Sequence, residues 1–219
     1  MYLSRIELDT KSRETMRALA SPSRFHGAVE RAFDGDRSRN LWRIDTLGDR
    51  TYLLLLSREL PRLDALAAQF GYGQYETRDY DKLLLRITDG RRYKFRLVAN
   101  PTFSKSPGKD AVGSKTRGRV IGCSTPEYQA EWLCRRAGSH GFSVMYTDEN
   151  ETRCSFTITK SRRLSFDKGS DGRNVKLLSV TYEGELTVTD AEKFKALLCD
   201  GIGRGKAYGQ GMMTVVSIE

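Results

Sequence analysis

The chain contains 219 residues and carries a formal net charge of +9, from 37 lysines and arginines against 28 aspartates and glutamates. This length accommodates one large domain or two small domains, and the basic excess favours a polyanionic partner, either nucleic acid or a membrane surface. All apolar runs are shorter than the roughly 18 residues of a membrane span, so the sequence predicts no membrane-spanning segment.

Cysteine and histidine content argues against a metal site. The chain has two histidines and four cysteines, and the cysteines show no C-x-x-C pairing. No cluster of aspartate, glutamate and histidine has metal-ligand spacing, so we expect neither a metal nor another cofactor. The composition favours reduced thiols in a cytoplasmic protein. The first residues, MYLSRIELD, alternate and are charged, which predicts a strand rather than a signal peptide. The cysteines are Cys123, Cys134, Cys154 and Cys199.

The first half of the chain shows a β-α-β-β-α-β order plus one extra strand. After the first strand, Ser21 and Pro22 are typical of a helix start, and the helix SRFHGAVERAF follows. A second helix begins at Pro61 and ends at Gly71, after two strands that are joined as a hairpin. The predicted strands are residues 2–8, 41–47, 51–56, 82–87 and 92–99.

Between the halves lies a segment rich in proline, glycine, serine and basic residues. Such a composition predicts a linker or a loop, and a basic charge is also common in solvated linkers. The predicted organisation is therefore an N-terminal domain at 1–100, a basic linker at 101–118 and a C-terminal domain at 119–219.

The second half repeats the order as a pattern, without close residue-level repetition. A short strand at 119–121 precedes a helix that begins near Thr125 and ends at Gly138. A strand at 142–147 and a long hairpin at 154–188 follow, then the helix AEKFKALL and a terminal apolar strand. The sum predicts an α+β fold of two tandem ferredoxin-like domains, of which the second carries a protruding basic hairpin.

A glycine-rich loop, DGIGRGKAYGQG at 200–211, separates the last helix from the last strand. A dinucleotide-binding fingerprint has the opposite order, and its third glycine is absent here. A P-loop is excluded because Ala207 follows Lys206, where serine or threonine is required. Two interpretations remain: a bare backbone that approaches a phosphodiester, or a long turn whose glycines supply positive φ. The candidate residues for the phosphodiester contact are Gly201, Gly203, Arg204, Gly205, Gly209 and Gly211.

The tip of the long hairpin is strongly cationic. An isolated two-stranded arm is marginal in water, so an arm of this length and charge favours packing against another molecule. The base of an RNA stem fits, because A-form RNA elsewhere has a deep, narrow major groove that side chains read poorly. The alternative is a solvated charged hairpin. The candidate RNA-binding cations are Lys160, Arg162, Arg163, Lys168, Arg173 and Lys176.

His26 is the strongest candidate for proton transfer. Metal-free RNA cleavage requires a base for the 2′-hydroxyl, an acid for the 5′-oxygen and charge compensation at the phosphorane. Imidazoles in general change charge near neutrality and can serve in either role. The competing interpretation is a packed histidine at the edge of the apolar stripe of its helix. His140, between Ser139 and Gly141, is expected in a loop without a catalytic role.

Five segments carry a family resemblance: MYLSRIEL, RFHGAVERAF, YKFRLVANP, the EGELTV region and GIGRGKAYGQG. Together they resemble the CasE family of CRISPR repeat endoribonucleases, in the wider Cas-six superfamily, over essentially the whole chain. The resemblance implies tandem ferredoxin-like domains and metal-independent cleavage of precursor CRISPR RNA at the base of each repeat hairpin. It also implies 2′-hydroxyl attack, retention of the mature RNA and assembly with other Cascade subunits. We expect the free protein to be a monomer.

The resemblance also assigns roles to residues. His26 matches the catalytic histidine, the 201–211 loop matches the glycine-rich loop, and the 160–176 arm lies where the stem-reading hairpin does. Members often have a tyrosine three residues before the histidine, where this chain has Ser23, whose hydroxyl is short and a poor acid. Arg24, Lys206 or another tyrosine are the alternatives for its role. Ser23 and Lys206 therefore join His26 as catalytic candidates, and Arg24 joins the RNA-binding set.

The departure at Ser23 keeps a second function class open. A catalytically weak or inactive subunit could keep the fold, bind the CRISPR repeat RNA and serve in assembly. A third class, a small nucleotide-binding enzyme, is disfavoured by the order of helix, glycine loop and strand.

Overall fold

The structure, a computed structural model, describes residues 1–34, 39–105, 119–147, 151–168 and 173–218. Most of the predicted linker and the tip of the long hairpin lie outside the described residues. The side chain of Arg173, a candidate RNA contact, lies outside them as well.

The first domain is a four-stranded antiparallel sheet covered on one face by three helices. Its elements are β1 (Tyr2–Leu8), α1 (Arg13–Ala20), α2 (Ser23–Glu30), β2 (Leu41–Leu47), β3 (Arg50–Ser57), α3 (Asp64–Phe70), β4 (Gly71–Asp79) and the short α4 (Asp81–Leu84). The strand order is β2-β3-β1-β4. Apolar residues of α1, α2 and α3 share one core with the sheet, in which Phe25 packs against Phe70 at 5.0 Å between ring centroids.

The second domain is built on a larger antiparallel sheet. Its elements are β5 (Arg92–Ala99), β6 (Thr102–Lys105), β7 (Arg119–Gly122), α5 (Pro126–Ser139), β8 (Phe142–Ser143), β9 (Met145–Thr147), β10 (Thr152–Cys154), β11 (Phe156–Lys168), β12 (Arg173–Val188), α6 (Ala191–Asp200) and β13 (Met213–Ser217). The main order is β11-β12-β5-β13, β8 pairs with the end of β12, and β6–β7 and β9–β10 form separate two-stranded ribbons. Helices α5 and α6 contribute to the core of this domain.

The two main sheets share one topology. Numbered within each domain, both have the strand order 2-3-1-4 with antiparallel neighbours, which is the ferredoxin-like arrangement. The predicted α+β fold of two tandem ferredoxin-like domains is therefore confirmed. The long hairpin is present as β11 and β12, which pair continuously from Phe156 to Lys168 apart from one bulge.

The strand at Arg92–Ala99 belongs to the second domain, so its assignment to the first domain and the predicted boundary at residue 100 are wrong. This strand, β5, pairs with β12 on one side and β13 on the other. Its buried side chains, Tyr93, Phe95, Leu97 and Ala99, lie in the second core. The short strand predicted as the first of this domain, 119–121, instead pairs with β6 in a small ribbon.

The last strand of the first domain is β4, and the predicted strand at 82–87 is wrong. That segment contains helix α4. Its first turn is stabilised by a 2.9 Å hydrogen bond from the backbone N–H of Asp81 to the Asp79 carboxylate. Short apolar runs do not distinguish a helix from a strand, which explains the error. Strand β4 is largely exposed on both faces and so lacks the alternation that predicts a strand.

A buried arginine joins the two sheets. Arg43 on β2 is 1% exposed, and its Nη1 donates to the carbonyls of Arg96 at 2.9 Å and Met212 at 3.0 Å in the second domain. Its Nε and Nη2 donate to the Asp45 carboxylate, and Nη2 also donates to Thr214 Oγ1 at 2.8 Å. All five guanidinium donors are used, which is the condition for burying this charge.

None of the helices in the described ranges combines the length and the apolar character needed to cross a bilayer.

Candidate active site

Helix α2 presents His26 at the border between core and solvent. Phe25, Ala28 and Val29 bury the inner side of this helix, and Phe25 lies 5.8 Å from Trp42 between ring centroids. The next residue, His26, is turned away from that core, and its side chain is 39% exposed. The imidazole can therefore meet a substrate from its position at the edge of the apolar stripe.

Glu30 and Tyr208, one from each half of the chain, lie near the imidazole. The Nδ1 of His26 lies 3.9 Å from the Oε1 of Glu30, one helical turn later. The phenol ring of Tyr208, in the glycine-rich loop, meets the imidazole edge to face, with 6.4 Å between centroids and 68° between planes. The glycine-rich loop of the second domain thus reaches the histidine of the first.

The glycine-rich loop is held against both domains by close packing. Backbone φ is positive at all five predicted glycines, Gly201, Gly203, Gly205, Gly209 and Gly211. A Cβ at Gly209 would lie 2.8 Å from the Trp42 ring, and one at Gly201 would lie 2.9 Å from Leu41 Cδ2. These positions require glycine for conformation and for space, which favours the turn interpretation. That the same glycines contact RNA stays a prediction.

A short 3-10 turn at Lys206–Tyr208 forms the part of the loop nearest α2. Burial of the Lys206 side chain lowers its pKa, and the nearby Arg39 cation lowers it further, while Asp200 opposes the shift. The Tyr208 ring also packs edge to face against Phe166 on β11, with 5.0 Å between ring centroids. The turn therefore connects the histidine helix to the basic arm, and it brings a lysine that loses its proton more readily than a solvated one.

Ser23 makes a structural contact with the arm. Its Oγ donates to the backbone carbonyl of Asp167 on β11 at 3.2 Å and lies 3.0 Å from Ser21 Oγ. Arg24, next to it, is exposed. The hydroxyl of Ser23 thus fastens α2 to the arm at the position where a tyrosine is common in the CasE family.

A cleft of about 400 Å³ lies between the two sheets, beside α2. Its floor includes the Arg43–Asp45 pair, and Arg96, whose Nε donates to Glu183 at 2.6 Å. Its rim carries two of the predicted RNA-binding cations together with the loop residue beside His26. These three rim residues are Lys160, Arg162 and Tyr208.

Two further cations of the arm, Arg163 and Lys176, do not face this cleft. Successive side chains of a strand point to opposite faces, so Arg163 and Lys176 lie on the other side of the arm. They line a separate groove of about 600 Å³ together with Arg204 of the glycine-rich loop. Lys168 is exposed near the end of the described arm. The candidate RNA-binding cations of the described arm are therefore divided between its two faces.

Comparison with known proteins places the chain in a family. A family model described as CRISPR associated protein matches residues 1–216. The chain belongs to this family. The CRISPR-associated endoribonuclease Cse3 of Thermus thermophilus is similar to this CRISPR-associated protein, with 31% identity over 224 residues that cover 98% of this chain and 99% of the relative.

Two further comparisons agree. The Cascade subunit CasE of Escherichia coli is 28% identical over 171 residues, which cover 76% of this chain and 75% of the relative. A solved structure of the CRISPR endoribonuclease Cse3 bound to a 19-nucleotide RNA has a TM-score of 0.77 and 27% identity, and the alignment covers 99% of this chain and 100% of that one. The resemblance to the CasE family is thereby confirmed.

Sequence reasoning in this CRISPR-associated protein missed three neighbours of the site. Glu30 follows His26 by four residues, a spacing that places both on one helix face and could have indicated the contact. Tyr208 and Arg39 gave no such signal, because their positions depend on how the two domains pack. Within the described ranges, no group of three or more His, Cys, Asp or Glu side chains is arranged to hold a metal ion.

Proposed function

We propose that this chain is a metal-independent endoribonuclease that cleaves precursor CRISPR RNA at the base of the repeat hairpin, in the cytoplasm. The observation that carries the proposal is the half-exposed His26, in contact with Tyr208 beside a basic cleft. The similarity to Cse3, named an endoribonuclease, and to CasE, named a Cascade subunit, supports the RNA substrate and the assembly with Cascade.

The reaction is a transesterification. The 2′-oxygen attacks the adjacent phosphorus, the bond from phosphorus to the 5′-oxygen breaks, and the products are a cyclic phosphate and a 5′-hydroxyl. One proton leaves the 2′-hydroxyl and one reaches the 5′-oxygen, and His26 performs one of these transfers. Lys206 lies on the turn that contacts α2, and its cation offsets charge on the phosphorane.

Binding of the RNA uses the rim of the cleft. Lys160 and Arg162 contact phosphates next to the scissile bond, since they share the cleft with Tyr208. Arg24 and Lys168 are exposed on the neighbouring helix and arm, where they extend the same basic surface. Because these contacts go to the RNA and not to the reacting atoms, the mature product stays bound after cleavage.

Tyr208 supplies an aromatic ring next to the histidine, although position 23 is a serine. Its ring contacts both His26 and Phe166, so it fixes the direction of the imidazole relative to the arm. Tyr208 is therefore a positioning residue of the proposed site.

The second candidate is a weak or inactive subunit that binds repeat RNA. It is favoured by one observation, the commitment of the Ser23 hydroxyl to the Asp167 carbonyl. Incubation of the protein with a labelled repeat RNA in EDTA, followed by mapping of both ends, separates the two candidates. A 5′-hydroxyl at one position at the base of the hairpin supports the endoribonuclease, and intact RNA at saturating protein supports the binding subunit.

A further inference from the structure

The second domain has a basic surface on the face of the arm opposite the cleft beside α2. It begins at the groove lined by Arg163, Lys176 and Arg204 and continues onto the outer side of α5 and the β6–β7 ribbon. Thr102, Val120 and Arg204 line both parts, so the two grooves are continuous. We call this the α5 surface, and its distinctive residues are Phe103, Tyr128, Arg135, Arg136 and Arg204.

Two aromatic rings stand exposed on the α5 surface. Phe103 on β6 is 46% exposed, and Tyr128 on the first turn of α5 is 58% exposed. Both line the same groove of about 540 Å³, above the buried ring of Trp132. Exposed aromatic rings on a concave surface are the platforms on which unpaired bases stack.

The charges around these rings are predominantly positive. Among the described residues that line the two grooves there are five cations and a single carboxylate, Glu131, which pairs with Arg135. Within the described part of the chain, Arg136 and Arg204 make no ion pair. Aromatic residues and arginine are also enriched in protein interfaces, but an excess of cations beside aromatic platforms is the arrangement that holds the backbone and bases of single-stranded nucleic acid.

The α5 surface is connected to the proposed active site through the glycine-rich loop. Arg204 lies on the α5 surface and Tyr208 lies beside His26, and the two are separated by four residues, at most about 14 Å of chain. An RNA strand that leaves the cleft therefore reaches the α5 surface by crossing this short loop.

We propose that the α5 surface binds single-stranded RNA adjoining the repeat hairpin, with bases stacked on Phe103 and Tyr128 and phosphates on Arg136 and Arg204. The proposal rests on the RNA binding argued above, but it concerns residues that take no part in cleavage. It extends the RNA footprint from the stem to the flanking strand, and it gives the opposite face of the arm a ligand.

The test compares three RNAs in the His26→Ala background: the repeat hairpin alone, the hairpin with a single-stranded 5′ tail, and the hairpin with a 3′ tail. We expect one tail to tighten binding, measured by fluorescence anisotropy. We expect Phe103→Ala and Tyr128→Ala each to remove about tenfold of affinity for that tailed RNA, from the loss of one stacked base. Affinity for the hairpin alone stays unchanged in both variants.

Tyr72→Ala is the matched control, because Tyr72 on β4 has the same 58% exposure and lies far from the two grooves in sequence and in the sheet order. Thermal melting of each variant checks folding. Phe103→Ala and Tyr128→Ala are also made in the protein that retains His26. We expect these variants to cleave the minimal hairpin at the rate of the unmodified protein. Loss of that cleavage would point to a fault in the proposed active site instead.

Three outcomes overturn the proposal. Either neither tail changes the affinity, or a tail tightens binding equally in the unmodified protein and in both aromatic variants. A variant that binds tailed RNA normally but no longer assembles with other Cascade subunits would assign the α5 surface to a protein partner and would equally overturn it.

Discussion

The imidazole of His26 and the phenol of Tyr208 lie edge to face, with 6.4 Å between their centroids, although one belongs to the first domain and the other to the second. This contact exists because a 3-10 turn carries Tyr208 out of the glycine-rich loop toward α2, where Gly209 packs on Trp42. The reactive geometry thus depends on the relative position of the two domains.

The contact leads to a prediction for Tyr208. Tyr208→Phe keeps the ring that contacts His26 and Phe166, so we expect cleavage within a few fold of the unmodified protein. Tyr208→Ala removes the ring, and we expect cleavage to fall at least about tenfold with hairpin affinity within threefold, because the imidazole loses its orientation. Single-turnover rates against pH provide the readout, and equal rates for both variants would contradict a positioning role.

The lowered pKa of Lys206 predicts how the stability effect of its replacement changes with pH. Its pKa is lowered in the folded protein, mainly by burial, so the folded state disfavours the charged form. Below the lowered pKa this cost is fully present, and there we expect Lys206→Met to melt at a higher temperature than the unmodified protein. As pH rises from the lowered pKa toward the ordinary lysine value, the unfolded state binds more protons and the unmodified protein gains stability. The difference in melting temperature between Lys206→Met and the unmodified protein therefore becomes smaller as pH rises.

The same variant separates stability from activity. Lys206→Met should lose cleavage while gaining thermal stability, a combination that a purely structural lysine would not give. A difference in melting temperature that stays constant or widens with rising pH would contradict the burial of the charge.

The two faces of the arm give a paired prediction. Arg162 lines the cleft and Arg163 the opposite groove, although they are adjacent in sequence. We expect Arg162→Ala to slow cleavage of bound hairpin, and Arg163→Ala to leave that rate unchanged. Each variant that loses a phosphate contact should reduce the slope of log affinity against log salt by about one. Equal effects of both variants on the cleavage rate would show that the RNA contacts both faces of the arm during cleavage, and would contradict this division.

The buried Arg43–Asp45 pair predicts a large stability effect. Arg43→Met leaves a carboxylate that is 7% exposed without its main partner, and we expect a loss of about 3–5 kcal/mol. Removing both charges with Arg43→Met and Asp45→Leu should recover part of this loss. Urea unfolding measures both, and the exposed pair of Arg92 and Glu185 is the control, at about 0–1 kcal/mol. A cost for Arg43→Met as small as that of the control would contradict the proposed joint between domains.

Patterns local to the sequence predicted most of the fold. The helix with His26, the long hairpin and the final helix, loop and strand follow from apolar periodicity and glycine positions. The sequence did not show that β5 crosses to the second sheet, since its alternation of Tyr93, Phe95, Leu97 and Ala99 fits any half-buried strand. Nor did it reveal β4, whose two faces are exposed and polar.

The site was predicted in its parts, and the structure added their relationships. His26 and the loop were chosen for their chemistry, but the division of the arm cations by strand alternation depends on register and on a bulge near Lys160. Tertiary proximity was similarly invisible for Cys134 and Cys154, whose sulfurs lie 3.7 Å apart without any pairing motif. Such contacts arise from packing between distant elements and carry no local signal.

Replacement of His26 tests the central claim most directly. Labelled repeat RNA is incubated in EDTA with His26→Ala and with His140→Ala, which changes the other histidine of the chain, at the end of α5. We expect His26→Ala to leave the RNA intact while binding the hairpin within a few fold of the unmodified protein, and His140→Ala to cleave normally. Full cleavage by His26→Ala under these conditions would contradict the assignment of His26 as the proton-transfer residue.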